Sequence, residues 1–282
     1  MVKLTKSDGR EFEITVGADP EFFVKKGGVP VSAFGLVPGD KKNPFKVGFG
    51  AVQVDGMALE FNINPAKGMD GFVRNLDAVM AKILEMVPGY EYFDSPVADF
   101  GIEYIEQQPE VARILGCDPD YNAYTMAPNP IPDVKRPFRT ASGHIHIGWA
   151  DNVDHLDPDH MKACGRLARM LDYTLGVPSL IWDKDDRRRE LYGKAGAFRP
   201  KPYGMEYRTP SNAWLNPTLP HLRKYVYTQA IKAVEMLFDN PDNEKLTILG
   251  KTAQEIINTG DRASVHYAIK NMGVLPSPAS FR

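Results

Sequence analysis

Acids, imidazoles and one arginine recur at two-residue spacing in four short stretches of this chain, and that spacing limits what it can fold into. The stretches are residues 17–23 (GADPEFF), 55–62 (DGMALEFN), 142–148 (SGHIHIG) and 205–208 (MEYR). Residues i and i+2 of a strand share a face, so Asp19/Glu21, His144/His146 and Glu206/Arg208 each pair up on one side. Together with Glu60, three such pairs make a carboxylate-rich floor rather than a core. The pattern points to a site for metal and phosphate.

The first third reads as strands. Residues 11–16 alternate polar and apolar, which suits a half-buried strand. Pro20 cannot donate to a ladder, which places 19–21 at an edge, a bulge or a strand start. Gly27-Gly28 reads as a hairpin turn between strands at 22–26 and 29–33, and Asp55-Gly56 joins 51–54 to 58–63 in the same way. Residues 34–50 hold four glycines, two prolines and three lysines, and read as a loop and a candidate flap.

At 68–87 the period changes. Phe72, Leu76, Val79, Met80, Ile83 and Val87 follow helical spacing, ended by Pro88-Gly89. Strand character resumes at 90–100. An irregular aromatic stretch follows over 104–139, with a short helix near 109–115. Residues 140–149 form the strand that carries both histidines. A second helix over 157–175 starts at Asp157-Pro158 and closes at Gly176 and Pro178. Further helices are expected at 217–238, 253–259 and 261–271, before a Pro/Ser tail. Strands and helices interleave without a clean linker, so one α+β domain over 1–282 is expected.

The formal net charge is -2, which argues against broad nucleic-acid binding. Cys117 and Cys164 lie outside any C-x-x-C spacing and read as core fillers in a reducing, cytoplasmic setting. The first residues show no apolar h-region, and no stretch approaches the roughly 18 apolar residues of a membrane span.

Each constellation has a plainer reading. Asp19 and Glu21 alone would pass as solvated edge-strand acids, but Phe22-Phe23 anchor the strand in a core and leave its acids in a cleft. Glu60 lies between Leu59 and Phe61, on a solvated face or as a ligand; Asp55 is explained by turn chemistry and ranks lower. His144 and His146, bracketed by Gly143 and Gly148, put two imidazoles on one face where glycines allow another backbone or a ligand to approach. His-x-His suits Zn²⁺, yet the surrounding carboxylates fit Mg²⁺ or Mn²⁺ better. Residues 183–208 hold Arg187, Arg188, Arg189, Lys194, Arg199, Lys201 and Arg208 among three glycines, and read as a phosphate-gripping loop rather than a helix. The plainer alternative is a basic loop offsetting Asp183, Asp185 and Asp186.

In their order along the chain these motifs resemble the glutamine-synthetase-like superfamily of carboxylate–amine ligases, and more closely its phage-encoded COOH·NH2 ligase group. The resemblance spans roughly 16–214. It implies a curved, mainly antiparallel sheet with helices on its convex face, and two or three divalent ions (Mg²⁺ or Mn²⁺) held between protein and ATP. By that resemblance Glu21 and Glu60 hold one ion, and Asp19, His144 and Glu206 hold the ion nearest the transferred phosphate. His146 meets the nucleotide phosphates, with Arg189, Lys194 and Lys201 in the basic stretch. Arg208 and Arg199 neutralise the γ-phosphoryl group. Two departures stand out: Asp19 where glutamine synthetase has a longer Glu, and only Glu60 where it has two acids, with Asp55 as the available substitute. The implied reaction joins a small-molecule or peptide acid to an amine through an acyl phosphate. A zinc hydrolase built on the histidines, a guanidino-kinase-like phosphotransferase and a binding module without chemistry are the competing classes.

Overall fold

One sixteen-residue strand, Glu11–Lys26, organises the molecule, because most other strands of the sheet pair with it or with its neighbours. The structure is a computed structural model and describes residues 2–5, 11–114, 120–131, 135–240 and 246–272. Cys117 and the tail at 273–282 lie outside the described residues.

In chain order the first strands are β1 (Val2–Thr5), β2 (Glu11–Lys26), β3 (Val29–Val31), β4 (Phe45–Val47), β5 (Gly50–Asp55) and β6 (Ala58–Ile63), followed by helix α1 (Met69–Glu85). Then come β7 (Glu91–Phe93), β8 (Val97–Asp99), α2 (Ile102–Glu106), α3 (Glu110–Arg113), β9 (Tyr121–Asn122), β10 (Phe138–Thr140) and β11 (Gly143–Gly148). The rest is α4 (Pro158–Leu171), α5 (Val177–Ser179), α6 (Arg188–Leu191), β12 (Ala197–Lys201), β13 (Gly204–Tyr207), α7 (His221–Asp239), β14 (Thr247–Ile248), β15 (Lys251–Thr252), α8 (Ala253–Thr259) and α9 (Arg262–Tyr267).

The main sheet is open and antiparallel, in the order β4-β5-β6-β2-β11-β13-β12-β9, with β1, β3 and β7 also on β2. Alternation sorts its two faces. Ile14, Val16, Phe22 and Val24 of β2 join Phe72 and Leu76 of α1, Leu167 and Leu171 of α4 and Ala230 of α7 in one core. The other parity, Thr15, Gly17, Asp19, Glu21 and Phe23, lines a cavity on the opposite face. The α+β expectation with helices against one face of an antiparallel sheet is therefore met. Phe72 stacks on Trp214 at 6.3 Å and meets Tyr227 at 5.5 Å beneath the sheet; truncating such a ring to Ala costs about 3–5 kcal/mol.

Pro20 lies inside the long central strand. On its β11 side Gly143 faces Pro20, and Glu21 N–H donates to Ser142 O at 2.8 Å. On the other side β2 pairs at Val16 with Ala66 and next at Glu21 with Glu60. Five steps of β2 thus answer six of the partner chain, and the missing Pro20 N–H falls in that irregularity, where no ladder needs it. The Gly27-Gly28 turn, with both φ positive, and the Asp55-Gly56 turn form as read.

Three expectations change. The loop at 34–50 contains β4 as well as irregular chain. The second helix does not stop at Gly176 and Pro178. It passes from α4 through a π turn, Asp172–Gly176, into α5, with Val177 N–H donating to Asp172 O. Gly176 is needed for closeness rather than termination: a Cβ there would lie 2.5 Å from the Tyr207 hydroxyl. The basic stretch at 183–208 is α6 and the β12–β13 hairpin rather than a loop. Among the described residues, no helix is long and apolar enough to cross a membrane.

Candidate functional site

Register brings the four motifs to one floor. Asp19 lies opposite His144 across β2–β11, His146 opposite Glu206 across β11–β13, and Glu206 opposite Arg199 across β13–β12. On the other flank Glu21 lies opposite Glu60, and Glu60 opposite Gln53. Directly opposed residues share a face. The floor underlies a cavity of about 1110 Å³.

Asp19, His144, His146 and Glu206 form the first cluster. His144 Nδ1 is 3.4 Å from Asp19 Oδ1 and 3.3 Å from Glu206 Oε1, and His146 Nε2 is 2.9 Å from Asp19 Oδ1. The last two atoms are close without the alignment of a hydrogen bond, and both stay buried and unpartnered, as does His144 Nε2. Burial pushes the His144 imidazole down to about 4, helped by the Arg208 charge, so this ring is neutral near pH 7. Burial opposes the charge on His146, but the Asp19 carboxylate outweighs it and raises this ring. Asp19 is held below the usual carboxylate range: burial opposes this, and His146 overcomes it. The Tyr203 hydroxyl, carried by the turn between β12 and β13, hydrogen-bonds His146 Nδ1.

Glu206 is fully buried and gathers cations. Lys201 Nζ lies 3.0 Å and Arg199 Nη1 3.2 Å from Oε2, and Arg208 Nη1 bonds Oε1. Burial alone would raise its pKa; Arg208, His144, Arg199 and Lys201 together hold it well below the ordinary value. Arg208 also bonds Asp120 at 3.1 Å.

The second cluster is all oxygen: Glu21, Glu60 and Asp55, with one ligand atom of each within 4.8 Å of the others. Ser142 N–H donates to Glu21 Oε2 at 2.8 Å, Gln53 Nε2 to Glu60 Oε2 at 2.6 Å, and Lys41 pairs with Asp55 at 2.8 Å. Burial, then the Asp55 charge, pushes Glu21 up to about 7 and Glu60 well above its ordinary value. Lys41 and Arg208 do not offset burial and the clustered charge here, and a hard divalent cation supplies the missing positive charge with oxygen ligands alone. The first cluster, two acids and two imidazoles with three orphaned ligand atoms, also fits a divalent ion. Residues of both clusters thus suit the implied metal.

The structure brings Asp19, Glu21, Glu60, His144, His146, Arg199, Lys201, Glu206 and Arg208 together around this one cavity. Four residues of the basic stretch fall elsewhere: Arg187 pairs with Asp185 and Asp99, and Arg188 donates to the Thr209 carbonyl. Arg189 is turned to Asp183 and Asp186, and Lys194 is exposed away from the cavity lining, while its carbonyl accepts from Thr209. Asp55, ranked low as a turn residue, is a full member of the second cluster. Lys41, Tyr203 and Asp120 were not singled out: each reaches the site from a loop, where no periodicity marks it. Cys164 is buried, with its thiol raised to about 12, and is inert packing.

The fold is that of an α+β protein with an open antiparallel sheet, on which two groups of acids and histidines that could hold a metal ion lie beside gathered cations over one cavity. Residues 136–242 match the family model described as phage phiEco32-like COOH.NH2 ligase-type 2, the group the motif order resembled. The matched segment contains His144, His146, Arg199, Glu206 and Arg208. A solved structure described as a novel glutamine synthase homolog is similar at 13% identity, covering 94% of this chain and 69% of its own, with a TM-score of 0.34. No curated protein matches the chain significantly.

Proposed function

We propose that the protein is an ATP-dependent carboxylate–amine ligase that works through an acyl phosphate. The observation that carries this reading is the pairing of two acid clusters with Arg199, Lys201 and Arg208 on one cavity floor. The family match over 136–242 supports the ligase class.

A carboxylate is a poor electrophile, and activation requires a phosphoryl group to move onto it. In this reading Asp19, His144, His146 and Glu206 hold one divalent ion, and Glu21, Glu60 and Asp55 another. When bound, such ions offset charge on the transferring phosphoryl group. The chain's own cations do the rest. Arg199, Lys201 and Arg208 leave Glu206 for the phosphate oxygens, and the Arg208 fork remains anchored by Asp120. The carboxylate oxygen of the acid attacks the γ-phosphorus and ADP departs. An amine then attacks the acyl carbon, and inorganic phosphate leaves. A nearby acid or water takes the proton the amine sheds. The 34–50 loop, which delivers Lys41, is a candidate to close over the site and exclude water.

The test is ADP and phosphate release with Mg·ATP against panels of acids and amines. Acid- and amine-dependent turnover is expected from the intact chain and is lost in Glu21→Ala and Arg208→Ala. Undiminished activity in either variant rejects the reading.

A further inference from the structure

Arg188 is the first residue of α6 and one of the largest side chains the fold buries, with 1% of its surface exposed. Burial lowers its pKa to about 10, so the guanidinium keeps its charge near pH 7. Its neighbours Arg187 and Arg189 pair with Asp185 and Asp186. Arg188 instead meets oxygens of the two chain segments that carry the site. Nη1 donates to Thr209 O at 2.7 Å, and Nη2 to Ser142 Oγ at 3.1 Å and Arg208 O at 3.3 Å.

Those acceptors lie where the β11–β13 ladder is irregular. Ile145 faces Tyr207, and the next bridge beyond that end joins Ser142 to Ser211. The three steps from Ile145 to Ser142 thus answer the four from Tyr207 to Ser211, which leaves one extra residue at 208–210. Such a bulge re-aims the side chains it carries, and Arg208 is among them. The Arg188 fork spans the irregularity, taking the Arg208 and Thr209 carbonyls on one side and the Ser142 hydroxyl on the other. The fold makes room for it: a Cβ on Gly193, whose φ is +77°, would lie 1.7 Å from Arg188 Nη1.

Each acceptor is one step from a group of the site. Ser142 N–H donates to Glu21 Oε2 at 2.8 Å, and its carbonyl accepts from Glu21 N–H at 2.8 Å. Arg208 reaches Glu206 and Asp120. One side chain therefore ties the Glu21, Glu60 and Asp55 cluster to the arginine beside the other cluster. Burying a guanidinium is costly, and a neutral side chain could fill the same space. What the planar fork adds is several acceptors held in one fixed geometry.

We propose that Arg188 is a positioning residue that fixes Arg208 relative to Glu21. It thereby sets how a nucleotide phosphate on Arg208 lies with respect to a divalent ion on the Glu21 cluster. Arg188 is not part of the cavity lining and touches neither ligand. The inference rests on the ligase reading and adds to it the residue that registers the two halves of the site.

The test is the coupling between Mn²⁺ and a non-hydrolysable ATP analogue, measured by calorimetry and corrected for their association in buffer. It compares the full chain with Arg188→Lys, which keeps the charge and loses the fork. In the unaltered chain each ligand is expected to tighten the other tenfold or more. In Arg188→Lys each ligand alone should bind within threefold of the unaltered chain, while the mutual tightening falls threefold or more. A merely structural role predicts the reverse, with each ligand weakened and the coupling intact. Ser142→Ala decides the matter if Arg188→Lys does not fold. It removes only the hydroxyl that Nη2 donates to, keeps the backbone N–H on Glu21, and should lower the coupling about twofold or more. Unchanged coupling in Arg188→Lys, or in Ser142→Ala where the first variant does not fold, overturns the proposal and leaves the ligase reading standing. A chain that binds no Mn²⁺–nucleotide complex rejects the ligase reading itself, and this inference with it.

Discussion

Glu21 and Glu60 face each other as direct partners across β2 and β6, with Asp55 close enough to complete a triad of acids. Like charges directly opposed on a sheet are destabilising, and these lie in a buried setting that pushes both carboxyls upward. The arrangement is therefore costly to the bare protein and is relieved by a cation. Replacing Glu60 with Gln removes one charge and keeps an oxygen to accept from Gln53. We expect Glu60→Gln to be more stable than the unaltered chain without metal, by about 1 kcal/mol or roughly 2–4 °C in melting temperature. The order should reverse in millimolar Mg²⁺ or Mn²⁺, which stabilises only the intact triad. Thermal melts of both proteins with and without chelator read this directly. A variant that melts lower in both conditions contradicts it.

Glu206 presents the opposite problem, since Lys201, Arg199 and Arg208 already surround it. A dication arriving alone meets three positive charges at close range. A polyphosphate arriving with it draws those cations away from the carboxylate. Binding of Mn²⁺ to this cluster should tighten tenfold or more in the presence of an ATP analogue, a coupling of about 1.4 kcal/mol or more. By reciprocity the analogue should bind correspondingly better with Mn²⁺ present. Mn²⁺ titrations of Glu60→Gln, in which the other cluster is crippled, isolate this site. Identical Mn²⁺ affinity with and without nucleotide counts against the coupling.

The floor of the site was legible because a two-residue period leaves a mark on the sequence that no turn or helix imitates. His144, Ile145 and His146 announce a strand with a polar face, and so do Asp19 and Glu21. What periodicity does not encode stayed hidden. Asp55 sits in an Asp-Gly turn that explains the residue locally, so its role beside Glu21 depends on where β6 docks. Arg187, Arg188 and Arg189 are consecutive, and which one goes where is decided by partners far away: Arg187 reaches Asp99, Arg188 the Thr209 carbonyl, Arg189 Asp186. β12 carries Pro200 among charged residues and becomes a strand by pairing with β13 and β9. Gly176 and Pro178 resemble a helix stop, yet the demand for a close approach to Tyr207 overrides that signal.

Asp172 sits in that π turn with no exposure, and three hydroxyls point at it: Tyr207 at 2.6 Å, Tyr124 at 2.8 Å and Thr209 at 3.2 Å. Burial still dominates and pushes the carboxyl up to about 7. The folded state therefore keeps a proton that the unfolded chain releases near its ordinary value of 3.8. Between about pH 4 and pH 7 folding takes up that proton, so this group makes stability fall as pH rises, and above 7 the loss is constant. Urea midpoints at pH 5 and pH 8 should differ less in Asp172→Asn than in the unaltered chain. Asp172→Ala is expected to be destabilised by about 1–3 kcal/mol or more at both, because it strands hydroxyls that the carboxyl accepts from. An unchanged pH difference in Asp172→Asn would falsify this assignment.

Gly143 precedes His144, and the space it leaves is taken by protein. A Cβ at this position would lie 2.2 Å from Trp214 Nε1 and 2.4 Å from the Ser211 carbonyl. Trp214 Nε1 donates to Gly143 O at 3.1 Å, which draws the Asn212–Leu215 turn against the strand. A methyl group here cannot be absorbed by rotating one side chain, because backbone stands on one side and a fully buried indole on the other. At Gly148, the far end of the same strand, the nearest obstacle is the Thr15 hydroxyl at 2.5 Å, the end of a side chain that can rotate. Gly143→Ala should therefore cost about 1–3 kcal/mol or more, and Gly148→Ala clearly less. The strand that Gly143→Ala displaces carries His144 against Asp19 and Glu206, so its Mn²⁺-dependent stabilisation should shrink as well. Melting both variants with and without Mn²⁺ separates the two positions, and equal losses at Gly143 and Gly148 would show that backbone contact at Ser211 is not what fixes His144.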